Sequence, residues 1–331
     1  MKAKLNIDKD IAEVTQRYAM AVTDTVLDTM DRSNPDDPVA LQYLPTRAEL
    51  VTTAEELADP IGDEAHSPVK GIVHRYPDRV LLKPVHVCAV YCRFCFRREM
   101  VGPGSDVLSD VELRAAIDYI RSAPAVWEVI VTGGDPFVLS ARRLKNLMDM
   151  LNDIPHVQVI RFHTRVPVAD TKRITDDVIA ALHSDKAVYV VLHANHANEL
   201  TDGVRAVVNK FVAAGIPLLS QSTLLRGVND DAAVLETLFR RLTAMKVKPY
   251  YLHHPDMAPG TSHFRLSIAR GREIVSKLWG RMSGIAQPNY VLDIPGGHGK
   301  VPAGAAYIDE NGEDTIVTDY RGQKHPYPSG K

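Results

Sequence analysis

Between about residues 70 and 266 the chain alternates two hydrophobic rhythms. Short runs rich in Val, Ile, Leu and Tyr, at 80–87, 128–132, 157–164, 187–194, 217–223 and 248–253, read as strands. The stretches between them, near 109–122, 140–152, 173–183, 200–214 and 230–245, carry apolar residues at three- and four-residue spacing and read as amphipathic helices. Alternation of this kind implies parallel strands joined by crossover helices. Six such units form either an open doubly wound sheet or a β/α barrel, and the polar residues choose between them. Cys88, the Gly133-Gly134-Asp135 turn, His163, Arg165, His193, Asn195, Gln221 and His254 fall where the predicted strands end. In a β/α barrel the chemistry gathers on that face. The predicted fold class is therefore α/β, a partial (β/α)6 TIM-like barrel, incomplete because six units fall short of eight.

The flanks break the rhythm. Ile11, Val14, Tyr18, Val22, Val26 and Met30 sit at helical spacing, the stretch 32–38 is a turn by its Asn-Pro and Asp-Pro pairs, and 39–65 read as short helices and loops. Residues 1–65 are thus expected to be an N-terminal helical appendage and 66–285 the barrel. Residues 286–331 are expected to be a short C-terminal extension. Beyond Leu266 the pattern predicts a helix at 268–280, a strand at 289–292, a Gly-rich loop and a hairpin-like tail.

The 331 residues are 45% hydrophobic and 24% charged, with a formal net charge of −2. That composition suits a globular chain with a sizeable core. It offers no electrostatic footprint for nucleic acid or an anionic membrane. No apolar run approaches the ~20 residues of a membrane-spanning helix. The opening MKAKLNIDKDIAEV lacks an apolar signal core. The expectation is a cytoplasmic protein that binds neither nucleic acid nor membrane.

The three cysteines, Cys88, Cys92 and Cys95, are the only ones in the chain and fall within one short segment. Three thiolates suit an iron–sulfur cluster, and a four-iron cubane held by three of them keeps one iron open to a reactive ligand. A structural zinc would want four ligands; His86 is near, but no second cysteine pair follows. A disulfide would leave one thiol over and join residues too close to constrain the chain. Tyr91, Phe94 and Phe96 offer a dry cover, and Arg93, Arg97 and Arg98 fit a site that holds anionic ligands. Glycines at 133 and 134 let backbone approach a ligand closely, while Asp135 also reads as a cap of the following helix. At 293–300 the run DIPGGHGK places Lys300 after a flexible Gly-rich loop. An amine there can form a Schiff base with an aldehyde cofactor, or can simply be an exposed loop lysine.

Together the cysteine triad, the Gly-Gly turn and the Lys300 loop resemble the lysine 2,3-aminomutase family of radical S-adenosylmethionine enzymes. The runs HRYPDR at 74–79, HANH at 193–196 and QSTLLRGVN at 221–229, and the segment from Pro249 to Phe264, agree in order and spacing across roughly residues 68–310. The resemblance implies a radical SAM barrel core and an isomerase, an intramolecular aminotransferase. It would interconvert L-lysine and β-lysine (3,6-diaminohexanoate) by 1,2-amino migration. The implied cofactors are a [4Fe-4S] cluster, S-adenosyl-L-methionine and pyridoxal 5′-phosphate. Cys88, Cys92 and Cys95 would be the cluster ligands. Gly133, Gly134 and Asp135 would meet the methionine end of S-adenosylmethionine, with His193 and Gln221 near its adenosyl group. Lys300 would take the pyridoxal phosphate, beside Tyr76 and Arg79. Arg97 would clamp the substrate carboxylate, and Asp256 and Asp293 would bind the far ammonium.

The last assignment also has a physical basis, since a buried cationic end must be paired, whereas a glutamate-type substrate would want a cation or amide at those places. Asp256, after His254-Pro255, also reads as a turn residue. The implied partners are a small amino acid, an external electron donor such as flavodoxin or ferredoxin, and further copies of the chain in a homo-oligomer. Isomerisation of the lysine used to modify elongation factor P, or a 2,3-aminomutase for another amino acid, are the alternative enzymes; a non-catalytic cofactor-binding sensor is the alternative class. The chain departs from longer relatives in having no cysteine after Cys95, so their structural zinc site is expected to be absent. His298 stands where the loop often has another glycine, and 322–331 read as a poorly tethered end.

Overall fold

The computed structural model describes residues 9–102, 107–309, 315–319 and 321–327. The appendage contains three helices, α1 (Lys9–Arg17), α2 (Asp24–Leu27) and α3 (Ala40–Tyr43), and short 3-10 turns at Arg47–Leu50 and Glu64–His66. The helical stripe expected over 11–30 is interrupted between α1 and α2. Thr23 explains the break: its hydroxyl accepts from the Val26 N–H as the cap of α2 and donates to the Ala169 carbonyl of the barrel. A tertiary bond thus fixes where the second helix starts.

Nine strands follow in strict chain order within one sheet. They are β1 (Ile72–Tyr76), β2 (Arg79–Val85), β3 (Glu128–Gly133), β4 (Val159–Thr164), β5 (Ala187–His193), β6 (Leu218–Thr223), β7 (Val247–His253), β8 (Asn289–Ile294) and β9 (Gly299–Pro302). Strands β2 to β8 run parallel, while β1 and β9 pair antiparallel at the two edges. The six strands expected in the repeating units are all present, and the strand expected at 289–292 is β8, which joins them as a seventh parallel member. An edge hairpin, β1–β2, was not foreseen; its Pro77-Asp78 turn is the signal that marks it. The crossover helices are α4 (Asp110–Arg121), α5 (Ala141–Asn152), α6 (Val166–Ala169), α7 (Asp176–Ala181), α8 (Asp202–Ala213) and α9 (Ala232–Ala244), with α10 (Ile268–Ser276) after β7. Ser109, Ser140, Thr175, Thr201, Asp231 and Ser267 cap their helices through side-chain oxygens, each worth ~1 kcal/mol.

Side-chain parity divides the strands between two environments. Ile160, Phe162, Val190, Leu192, Leu218 and Leu252 join the buried cluster made with Leu144, Leu147, Phe211, Leu235 and Phe239 of the helices. Truncating a leucine of that layer to alanine costs about 2–5 kcal/mol. The opposite parity, including Arg161, His163, His193, Gln221, Tyr251, His253 and Asp293, faces a cavity. The barrel thus packs its apolar layer against the helices and lines a central cavity with charged and polar side chains set among apolar ones.

The boundary expected at residue 285 cuts through this sheet, because β8 pairs with β7 and β9 carries Lys300. The extension proper is a small antiparallel sheet of β10 (Ile308–Asp309), β11 (Thr315–Thr318) and β12 (Lys324–Tyr327). Residues 324–327 are therefore paired rather than loose. Among the described residues no helix is long and apolar enough to cross a membrane.

Strands β1 and β9 do not share a ladder, yet the two edges meet. The Lys300 N–H donates to the Tyr76 hydroxyl at 2.8 Å, and His66 Nε2 lies 3.2 Å from the Gly297 carbonyl. Gly62 packs so tightly on the loop before β9 that a Cβ there would stand 2.6 Å from Gly297 Cα. The appendage thus bridges the opening.

Candidate active site

The polar interior encloses about 920 Å³, near the upper end of the range for ligand cavities. Every ligand or binding residue expected from the sequence lines it, from Cys88, Cys92 and Cys95 to Lys300.

The thiols are free of disulfides. Burial pushes all three up, Cys92 to about 11. Such thiols stay protonated until a cation takes the sulfur, and a coordinating metal does so outright. Among the described residues no group of three or more His, Cys, Asp or Glu side chains is already gathered around a metal-sized point. Three half-buried sulfurs facing one cavity are the donor set that an iron–sulfur cluster uses.

The arginines of the cysteine loop behave differently from expectation. Glu49, fully buried, accepts from Arg93 Nε at 3.0 Å and Nη2 at 2.6 Å and also from Arg98. Arg98 further donates to the Arg93 carbonyl at 2.9 Å and the Gly260 carbonyl at 3.1 Å. Arg93 and Arg98 therefore do not wait for an external anion; they fasten the loop to the appendage. Arg97 donates through Nε (3.0 Å) and Nη2 (2.8 Å) to Asp63, leaving Nη1 without a partner among the described residues. Asp63 is shared by Arg75 at 3.2 Å and Lys83 at 3.8 Å. Burial acts to raise its carboxyl, but these cations, led by Arg97, hold it below the usual range.

Gly133 and Gly134 are required by the protein itself. A Cβ at Gly133 would lie 2.5 Å from the Val85 carbonyl oxygen, and one at Gly134 2.3 Å from that of Val87. The chain leading to Cys88 runs against them, with the Gly134 N–H donating to Val85 at 2.6 Å. Asp135 accepts from the Phe137 N–H, the Thr164 hydroxyl, and the N–H groups of Arg165 and Val166 at 2.6–3.1 Å. Its carboxylate is spent on joining the ends of β3 and β4. It lines the cavity as a positioning residue with little capacity left for a cofactor.

At the Lys300 end, Nζ pairs with Asp293 and lies 3.3 Å from His253 Nδ1. Burial acts to raise Asp293, but the neighbouring His253 ring, 3.6 Å away, and the charge and hydrogen bond of Lys300 hold it at about 2. Asp256 is pushed the other way, to about 7, first by burial and then by the Asp293 carboxylate. The Arg79 guanidinium stacks 3.7 Å above the Tyr76 ring beside this group. His298 is exposed and is not among the residues that line the cavity.

Several buried polar atoms have no partner: Arg75 Nε and the Nε2 atoms of His163, His193 and His253. All four residues line the cavity, which fits a site built for polar ligands. The cations Arg75, Arg79, Arg161 and Lys300 on the cavity wall fit a phosphate-bearing aldehyde cofactor, although each already faces a carboxylate: Asp63 at 3.2 Å, Asp78 at 2.7 Å, Glu128 at 2.9 Å and Asp293. Of the strand-end residues, His254 turns outward to the Tyr290 hydroxyl at 2.7 Å; the inward residue is His253, on the same parity as Tyr251. That parity was readable in the sequence. The pairings of Glu49 and Asp63 were not.

The Radical SAM superfamily model matches residues 82–238. A solved radical SAM methyltransferase from Sphaerobacter thermophilus is 22% identical, with a TM-score of 0.47 over 67% of this chain and 68% of its own. The L-lysine 2,3-aminomutase of Clostridium subterminale is 38% identical over 94% of this chain and 74% of its own length. The enzyme of that name from Acetoanaerobium sticklandii is 40% identical over 92% and 73%. The glutamate 2,3-aminomutase of Clostridioides difficile is 36% identical over 93% and 72%. With identity of this level over more than nine-tenths of its length, the chain belongs to the lysine 2,3-aminomutase family of radical S-adenosylmethionine isomerases, whose cofactors are a [4Fe-4S] cluster, S-adenosylmethionine and pyridoxal phosphate.

Proposed function

We propose that the protein interconverts L-lysine and β-lysine by moving the amino group between Cα and Cβ. One observation carries the substrate: in a single cavity with the cysteines, a primary alkylammonium, that of Lys300, is already seated against Asp293 beside His253, with Asp256 in electrostatic reach. A group of acceptors that holds one lysine head suits another. A glutamate side chain would place a third carboxylate beside these two, at a cost of several kcal/mol.

When bound, the cluster with S-adenosylmethionine supplies the radical, and pyridoxal phosphate supplies the imine and the electron delocalisation that the migration needs. The chain supplies position. The free Nη1 edge of Arg97 is offered to the substrate carboxylate while Asp63 fixes the other edge. Asp256 and Asp293 take the far ammonium, so the substrate is held at both ends with Cα and Cβ between. Tyr76, Arg79, His193, Gln221 and the three cysteines line the same cavity; Tyr76 and Arg79 would flank the cofactor at Lys300, His193 and Gln221 would meet the adenosyl group, and the cysteines would hold the cluster. An external one-electron donor of the flavodoxin or ferredoxin kind, a homo-oligomer and a cytoplasmic setting complete the reading.

The test is an anaerobic assay of reduced, cofactor-loaded protein with each amino acid in turn, following β-amino acid products. β-Lysine formation from L-lysine, abolished in Lys300→Ala, is expected. Turnover of glutamate but not lysine would refute the assignment.

A further inference from the structure

An alkylammonium has three N–H donors, and two carboxylates leave one of them to be met. The structure shows where the third acceptor lies. His253 Nδ1 is 3.3 Å from Lys300 Nζ and 3.6 Å from Asp293 Oδ2, on the strand end next to β8. Nδ1 lies within hydrogen-bond distance of the Lys300 ammonium and beyond it from the Asp293 carboxylate, so we assign it as the acceptor, with the ring proton on Nε2. That atom has no partner and sits in the cavity wall. Burial, and next the Lys300 charge, lower the proton affinity of the ring against the opposing pull of Asp293. The nearest charged groups are Lys300 and Asp293, and the Tyr251 ring packs edge-on at 5.5 Å.

We infer that His253 is a specificity-determining residue: its neutral Nδ1 is the third acceptor for the far ammonium of the substrate, in the place Lys300 Nζ fills here. Lys300 and the substrate ammonium therefore use the same acceptors in turn, and the substrate enters them only when Lys300 is engaged elsewhere. This rests on the lysine reading above and deepens it. An apolar residue at 253 would let an uncharged side chain compete; the imidazole selects for a cation.

The test measures dissociation constants of L-lysine and L-norleucine for pyridoxal phosphate-loaded protein, without S-adenosylmethionine, from the cofactor absorbance. Norleucine keeps the chain but lacks the ammonium. His253→Leu is expected to weaken lysine about tenfold, the size of one hydrogen bond to a charged group, and to leave norleucine within about twofold. His253→Asn, whose amide oxygen falls near the Nδ1 position, should recover most of the loss. Equal weakening of both ligands would reduce His253 to a packing residue and overturn the inference, as would unchanged lysine affinity. Should His253→Leu fail to load cofactor, His253→Gln replaces it. Its amide reaches the Nε2 position instead, so lysine should bind about tenfold more weakly than to His253→Asn, and equal affinities overturn the inference. If wild-type protein does not prefer lysine to norleucine, and Asp293→Asn changes neither, the lysine reading itself falls and takes this inference with it.

Discussion

Asp256 and Asp293 share one small volume but hold their protons very differently. Asp293, paired with Lys300 and His253, is held at about 2, while Asp256 is raised to about 7 by burial and by its neighbour's charge. In the empty site at pH 6, Asp256 is therefore largely protonated. An arriving ammonium favours the carboxylate, so binding below pH 7 must expel a proton. Lysine affinity should fall as pH drops through about 7, by at most about tenfold per unit. Calorimetry in buffers of different ionisation enthalpy would read the released proton directly. Asp256→Asn should abolish both the slope and the proton release while weakening lysine binding at pH 8. The sign for stability is opposite in the two acids. Asp256 takes up a proton more readily folded than unfolded, so its contribution is present at low pH and lost as pH rises through about 7. Asp293 contributes above the ordinary carboxylate range and loses that contribution as pH falls toward 2. Asp256→Asn should therefore raise the melting temperature of the empty protein at pH 8 and leave it nearly unchanged at pH 4.

At the scale of elements, the cysteine loop is the clearest lesson in what a sequence carries. Its metal chemistry is legible because three thiols at fixed spacing leave few other uses. The DIPGGHGK loop is legible through resemblance for a similar reason. The roles of the intervening arginines were read as ligand chemistry, and two of them serve the protein instead. Arg93 and Arg98 close on Glu49, which lies over 40 positions earlier in a segment whose pattern says only helix and loop. No local periodicity records which distant acid meets which base. Gly133 and Gly134 teach the same point, since their missing side chains make room for the backbone before Cys88. Removing Glu49 leaves two buried guanidinium groups unpaired, a loss on the order of 3–5 kcal/mol. Glu49→Ala should therefore lower iron and sulfide content after anaerobic reconstitution and lower the melting temperature. Pyridoxal phosphate uptake at Lys300, across the cavity, should change less. Equal loss of all three would mean that the appendage supports the whole barrel rather than this loop.

The whole molecule is a barrel that its backbone does not close. Seven parallel strands curl far enough to bring the antiparallel edges β1 and β9 together, and side chains complete the ring. Lys300, the proposed cofactor lysine, sits on one of those edges, where a strand has a ladder partner on one side only. Its backbone is held on the other side by one hydroxyl, that of Tyr76 at 2.8 Å, with His66 and Gly62 steadying the loop before it. Tyr76→Phe keeps the ring under Arg79 and removes only that acceptor, so it isolates the closure from the stacking. The loss of one such bond, about 1 kcal/mol, is small against global stability but large for an edge strand that must present an amine at a fixed height. Hydrogen exchange at residues 299–302 should accelerate several-fold in Tyr76→Phe, with pyridoxal phosphate affinity falling by a similar factor and iron content unchanged. Faster exchange with unaltered cofactor affinity would show that β9 places Lys300 correctly from its β8 side alone. Unaltered exchange would assign the closure to the contacts of His66 and Gly62.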